Sequence, residues 1–191
     1  MLYRAPAKPS KITIVNTATK NSLILPVLAM VVIVAASNVL VQYPINDWLT
    51  WGALSYPVAF LITDLTNRRY GAARARRVVA IGFAIAVLAS IYLATPRIAI
   101  ASGAAFLTAQ LLDVTIFDRM RRMSWWKAPI VSSGVGSVVD TGIFFCAAFA
   151  GTGLPWMTWA AGDLGIKFVV AMAMLIPFRA AIALQQTAAQ E

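Results

Sequence analysis

Residues 51–77 read WGALSYPVAFLITDLTNRRYGAARARR, and the reading of this stretch settles how the rest of the chain is arranged. It begins as an apolar helix, places Pro57 in mid-span, meets a carboxylate at Asp64 and ends in Arg68, Arg69, Arg74, Arg76 and Arg77 with no acid among them. A proline inside a lipid-embedded helix frees backbone groups that a neighbour must satisfy. An aspartate at membrane depth needs a partner, a cavity or a proton. Both features predict a polar interior. The arginines predict that this end of the helix faces the cytoplasm, because short cytoplasmic loops retain Lys and Arg.

Composition agrees. The 191 residues are 60% hydrophobic and 12% charged, with a mean hydropathy of +0.77, which implies several membrane spans rather than a soluble domain. A net charge of +9 would suit nucleic acid if basic residues covered a folded surface. Here they sit in short gaps between apolar runs, so no nucleic-acid partner is expected. With Cys146 as the single cysteine and no histidine, an internal disulfide is excluded and the common Cys/His metal sites are missing. No catalytic residue, metal or cofactor is assigned.

Working outward, residues 1–21 form a basic tail carrying Arg4, Lys8, Lys11 and Lys20. Six apolar runs follow near 22–42, 48–66, 78–94, 98–117, 128–150 and 156–175, giving a transmembrane domain over 22–179 and a second tail over 180–191. The first run is long enough to span and is read as a span rather than a signal peptide. Trp48, Trp51, Trp125 and Trp126 read as interfacial anchors. Four Lys or Arg residues lie in the N-terminal tail, five after the second run, four after the fourth and one after the sixth, against Arg97 alone in the outer loops. The chain is therefore expected to be an all-α polytopic membrane protein of six helices with both termini in the cytoplasm.

Several polar residues fall inside these runs. Asp140 and Lys167 both lie near mid-span, where an unpaired charge costs several kcal/mol, so they are expected to pair or to share a cavity. Asp163 competes for Lys167 from four residues earlier on the same helix. Ser133, Gly136, Ser137 and Asp140 make one stripe at three- and four-residue spacing. Gln110 and Asp113 share a face in the fourth run, Asp64 closes the second, and Asn38 lies one turn from Gln42 in the first. Gly and Ser stripes permit close helix pairing, including a homodimer.

Read in order, ASNVLVQ from Ala36, the 51–77 stretch, QLLDVTIFDRMRR from Gln110, WWKAPIVSSGVGSVVDT from Trp125 and DLGIKF with Pro177 resemble the bacterial queuosine precursor transporters of the vitamin uptake transporter-like family. The resemblance runs from the first span to the sixth. It implies an inner-membrane importer of 7-cyano-7-deazaguanine, and of its 7-aminomethyl relative, with a fold related to the substrate-binding subunits of energy-coupling-factor transporters. Many members read Asp, two residues, Asn, Glu; here Asn67 is followed by Arg68, so no role for that glutamate carries over.

The residues suit such a cargo. A deazaguanine presents a ring N–H and an exocyclic amine that one carboxylate can accept, a carbonyl that needs a donor, and a flat face for an aromatic ring. Asp113 or Asp140 could take the donors, Gln110, Asn38 or Lys167 the carbonyl, and Phe60, Phe117 or Phe144 the flat face, with Asp64 and Ser133 completing the expected substrate site. The second reading is a carrier or binding subunit for another planar base or vitamin. The third is a membrane-embedded enzyme, against which stands the lack of any nucleophile with an evident base.

Overall fold

A computed structural model describes residues 22–40, 43–46, 48–93 and 95–187. The basic tail 1–21, Gln42 and residues 188–191 lie outside the described residues. Helix α1 (Ile24–Leu40) leads through a two-stranded antiparallel ribbon, β1 (Pro44–Asn46) and β2 (Leu49–Thr50), into the short α2 (Trp51–Ser55) and then α3 (Pro57–Tyr70). There follow α4 (Ala72–Leu93), α5 (Pro96–Met120), α6 (Lys127–Phe149), α7 (Trp156–Ala173) and α8 (Leu175–Thr187).

Proline decides two of these boundaries. Pro57 has no N–H to give to the preceding turn, so α2 stops at Ser55 and α3 restarts at the proline. Tyr56 between them keeps right-handed helical angles, φ −57° and ψ −40°, so the run continues through a break rather than turning back. Local bonds absorb the disturbance: Tyr56 N–H donates to the Gly52 carbonyl at 2.9 Å and the Ser55 hydroxyl to the same oxygen at 3.1 Å. Pro177 acts similarly at the third position of α8, and the chain breaks regularity at Met174. Gly71, at φ +87°, terminates α3 in a conformation that side chains with a Cβ rarely adopt, which lets α4 begin at once. At α5 the Thr95 hydroxyl accepts from Ile98 N–H and Pro96 occupies the first turn.

Pro96–Met120, Lys127–Phe149 and the run Trp156–Leu184 are each long and apolar enough to cross a membrane, and Ile24–Ser37 is a shorter apolar helix. Helix α3 is the centre of the bundle, touching α1, α4, α5, α6, α7 and α8. The longest interface is between α5 and α6. One apolar core joins α1, α3, α4 and α5 through Met30, Ala59, Val78, Phe106 and Val114; a second joins Phe117, Ala128, Phe178 and Ile182. Gly82 is required by the first, since a Cβ there would meet Met30 Cγ at 2.5 Å.

The outer face is apolar in turn. Val169, Met172, Ile176 and Leu184 on the last two helices are all more than half exposed, whereas the one buried residue of α7 is Lys167. A helix that turns its aliphatic side chains outward and its cation inward is built for lipid. The basic segments after α3 and α5 meet at one end of the bundle: Arg68 Nη1 donates to the Arg121 carbonyl at 2.6 Å and Arg121 Nη2 to the Arg68 carbonyl at 3.2 Å. At the other end Arg97 donates to the Ala147 and Ala150 carbonyls, tying the start of α5 to the end of α6.

Candidate functional site

Two polar clusters lie inside the bundle, and α3 and α6 contribute to both. In the first, Asp64 on α3 is met from α6 by the hydroxyls of Ser132 and Ser133, which donate to its two oxygens at 3.3 and 3.4 Å. From α5, Asp113 lies against the Asp64 carboxyl group and the same serines. Thr63 donates to Gln110 Oε1 at 2.7 Å, and Asn67 Nδ2 to the Val114 carbonyl at 2.9 Å. Helical spacing explains the convergence: Phe60, Thr63, Asp64 and Asn67 fall on one side of α3, and Gln110 and Asp113 one turn apart on α5.

This cluster is buried, and its hydrogen bonds within the protein are incomplete. Asp64, Asn67, Gln110 and Asp113 are all at most 1% exposed. The Asp113 oxygens face the Ser132 and Ser133 hydroxyls and the Asp64 carboxyl without a hydrogen bond of good geometry, Gln110 Nε2 finds no acceptor, and Asn67 Oδ1 finds no donor. Buried polar groups are normally paired. Here two acceptor oxygens and one amide donor stand unpartnered within a single turn of α5. Asp64 also borders a narrow cleft of about 10 Å³, lined by Pro57, Phe60, Ser133, Ser137, Met174 and Phe178 among others; Gln110 and Asp113 do not line it. Phe60 forms its aromatic wall and packs so closely on α6 that a Cβ at Gly136 would meet Cε1 at 2.8 Å.

The second cluster is ionic. Lys167 Nζ lies 2.8 Å from Asp140 Oδ2 on α6 and 2.5 Å from Asp163 Oδ2 on its own helix. A third contact, at 3.0 Å, goes to the Thr141 hydroxyl, which itself donates to Asp163 at 2.8 Å. All three ammonium protons are thereby used. Tyr56, at the break before α3, donates to Asp140 Oδ1 at 3.2 Å, and the ammonium stands 5.4 Å from its ring centroid.

Of the residues expected at the substrate site, Phe60, Asp64, Gln110, Asp113 and Ser133 come together, while Asp140 and Lys167 form the separate ionic cluster. Both partners considered for Lys167 are engaged at once. Asn38 lies on α1, with its side chain outside the described part of the structure. Phe117 and Phe144 pack on other aromatic rings, Phe178 and Phe145 respectively, in apolar surroundings. The sequence reading missed Tyr56, Thr63, Ser132 and Thr141 as site residues. Thr63 and Asn67, four apart and flanking Asp64, carried a signal; Tyr56 and Thr141 gave none, since each becomes polar-facing only through the packing of α3, α6 and α7.

The class defined by these features is a polytopic helical membrane protein whose polar residues are turned inward, into the bundle. The chain belongs to the family described as "Putative vitamin uptake transporter", whose model matches residues 50–95 and 88–182. Among its relatives, a Haemophilus influenzae protein named "Probable queuosine precursor transporter" is 36% identical, over 76% of this chain and 79% of its own length. The "Queuosine precursor transporter" of Escherichia coli is 35% identical over the same shares. A Bacillus subtilis protein named "Probable queuosine precursor transporter" is 29% identical over 66% of this chain and 68% of its own. No solved structure matches the chain. The protein is a membrane transporter and not an enzyme.

Proposed function

We propose that this transporter imports queuosine precursors, 7-cyano-7-deazaguanine and its 7-aminomethyl relative, across the bacterial inner membrane. The names of the relatives support the cargo class. The observation that carries the reading is the unpartnered set on α5: two carboxylate oxygens of Asp113 and the amide nitrogen of Gln110. A deazaguanine edge offers the complement, a ring N–H and an amine for the carboxylate and a carbonyl for the amide. Phe60, Asp64 and Ser133 line the cleft, which has to widen for the rings to stack on Phe60.

Six spans with both termini cytoplasmic belong to the same reading. The juxtaposed Arg68 and Arg121 segments support a shared cytoplasmic end, and Arg97 at the far end supports an outer loop. The energy-coupling-factor likeness and a homodimer are further expectations of this reading, and lipid is its surrounding solvent.

The test is uptake of labelled 7-cyano-7-deazaguanine by cells unable to synthesise it, with and without the gene. Accumulation together with queuosine-modified tRNA is expected. No gain in either would overturn the reading.

A further inference from the structure

Asp64 on α3 and Asp113 on α5 face each other inside the bundle, 1% and 0% exposed. The groups around them bring no positive charge. From α6 come the Ser132 and Ser133 hydroxyls, from α3 and α5 the neutral amides of Asn67 and Gln110, and from the α7–α8 break Met174 and Phe178; the core towards α1 and α4 is aliphatic. The cations nearest in the chain are engaged elsewhere. Arg68, one turn after Asp64, donates to the Arg121 carbonyl, Lys127 lies over the Trp126 ring, and Lys167 is held by Asp140 and Asp163. Among the described residues neither Asp64 nor Asp113 has an ion pair.

Two carboxylates in contact and away from water cannot both be ionised. One proton between them removes the repulsion and supplies an O–H···O hydrogen bond that two bare acceptors cannot form. The single charge that stays is met by the two serine hydroxyls. A second proton would set an O–H where a cargo edge of two N–H groups needs acceptors. Asp64 borders the cleft and Asp113 does not, so a molecule entering there meets the pair and not a lone acid. One turn before Asp113, the buried Gln110 Nε2 has no acceptor, a second unmet group at the same place.

We propose that Asp64 and Asp113 share a single proton and receive the cargo as one singly charged unit, in which Asp64 sets its O–H against Asp113 and presents the Asp113 carboxylate to the cargo's two N–H donors. The proton stays on the pair when cargo binds, and Asp64 is a positioning residue. The proposal rests on the reading that Asp113 takes the cargo's donors.

The test is infrared spectroscopy of the purified protein carrying isotope-labelled aspartate, at about pH 7.5, where exposed carboxyls are ionised. The native protein should show the carbonyl band of one protonated carboxyl. That band should persist in Asp163→Asn and vanish in both Asp64→Asn and Asp113→Asn, since each of these leaves one acid that the new amide and the two serines hold as a carboxylate. It should remain when 7-cyano-7-deazaguanine binds. In calorimetry Asp64→Leu, which removes the O–H, should bind the precursor about tenfold more weakly or worse, and Asp64→Asn, whose amide still offers an N–H to Asp113, should recover part of that loss. No band in the native protein, a band that survives in Asp64→Asn or Asp113→Asn, a band lost on precursor binding, or Asp64→Asn binding no better than Asp64→Leu would overturn the proposal. If the native protein binds no precursor at all, the cargo reading falls, and the infrared bands by themselves decide the shared proton.

Discussion

Lys167 on α7 and Asp140 on α6 are joined at 2.8 Å, with both side chains 6% exposed. Because Asp163 shares the same ammonium, the two ends of this pair are unequal. Lys167→Met leaves two buried carboxylates with no cation and should cost about 3–5 kcal/mol, the scale for breaking a buried pair. Asp140→Asn leaves Lys167 balanced by Asp163 and should cost less, about 1.5–3 kcal/mol for a lost charge-assisted bond. Thermal unfolding in detergent measures both, and an Asp140→Asn loss equal to that of Lys167→Met would contradict the ordering.

At Gly136 the same interfaces admit no side chain. A Cβ would stand 2.8 Å from Phe60 Cε1 and 3.2 Å from Cζ, and Phe60 is 1% exposed with little room to withdraw. Gly136→Ala should destabilise by about 1–3 kcal/mol through overpacking. Adding Phe60→Leu should recover most of that loss in a melting experiment while still weakening precursor binding, because the ring proposed to stack on the cargo is gone.

Asp113→Asn separates recognition from folding. In the unliganded protein it takes one of two facing acids out of a buried cluster in which no cation stands beside Asp64 or Asp113 among the described residues, so the melting temperature should hold or rise. Binding loses a matched acceptor and gains a misplaced donor, which should weaken affinity by about 1–3 kcal/mol, or roughly five- to a hundred-fold, by calorimetry. Gln110→Leu should weaken binding in the same sense. Unchanged affinity in both variants would remove α5 from the site.

Orientation can be read with a single thiol. In a Cys146→Ser background, Thr152→Cys in the turn after α6 should react with a membrane-impermeant maleimide in intact spheroplasts. Ser124→Cys, in the basic turn between α5 and α6, should react only after permeabilisation. The reverse pattern would invert the proposed topology.

The amino-acid sequence by itself determined the solvent and the local geometry. Apolar runs divided by Arg clusters define a membrane protein, and the segments of two of those clusters meet where Arg68 and Arg121 exchange hydrogen bonds. Pro57 interrupts its helix because the missing N–H is a property of the residue alone. The i, i+3 and i, i+4 relations of Gln110 with Asp113 and of Asp163 with Lys167 follow from 3.6 residues per turn. Tertiary structure decided how each helix is rotated about its axis, and so which polar faces meet. Phe60 seated on Gly136 brings α3 against α6 at a depth where Asp64 finds Ser132 and Ser133. The packing of α7 on α6 gives Lys167 to Asp140 as well as to its helical neighbour. Those partners lie dozens of residues apart in the chain, and close packing of side chains with no periodic signature selects them.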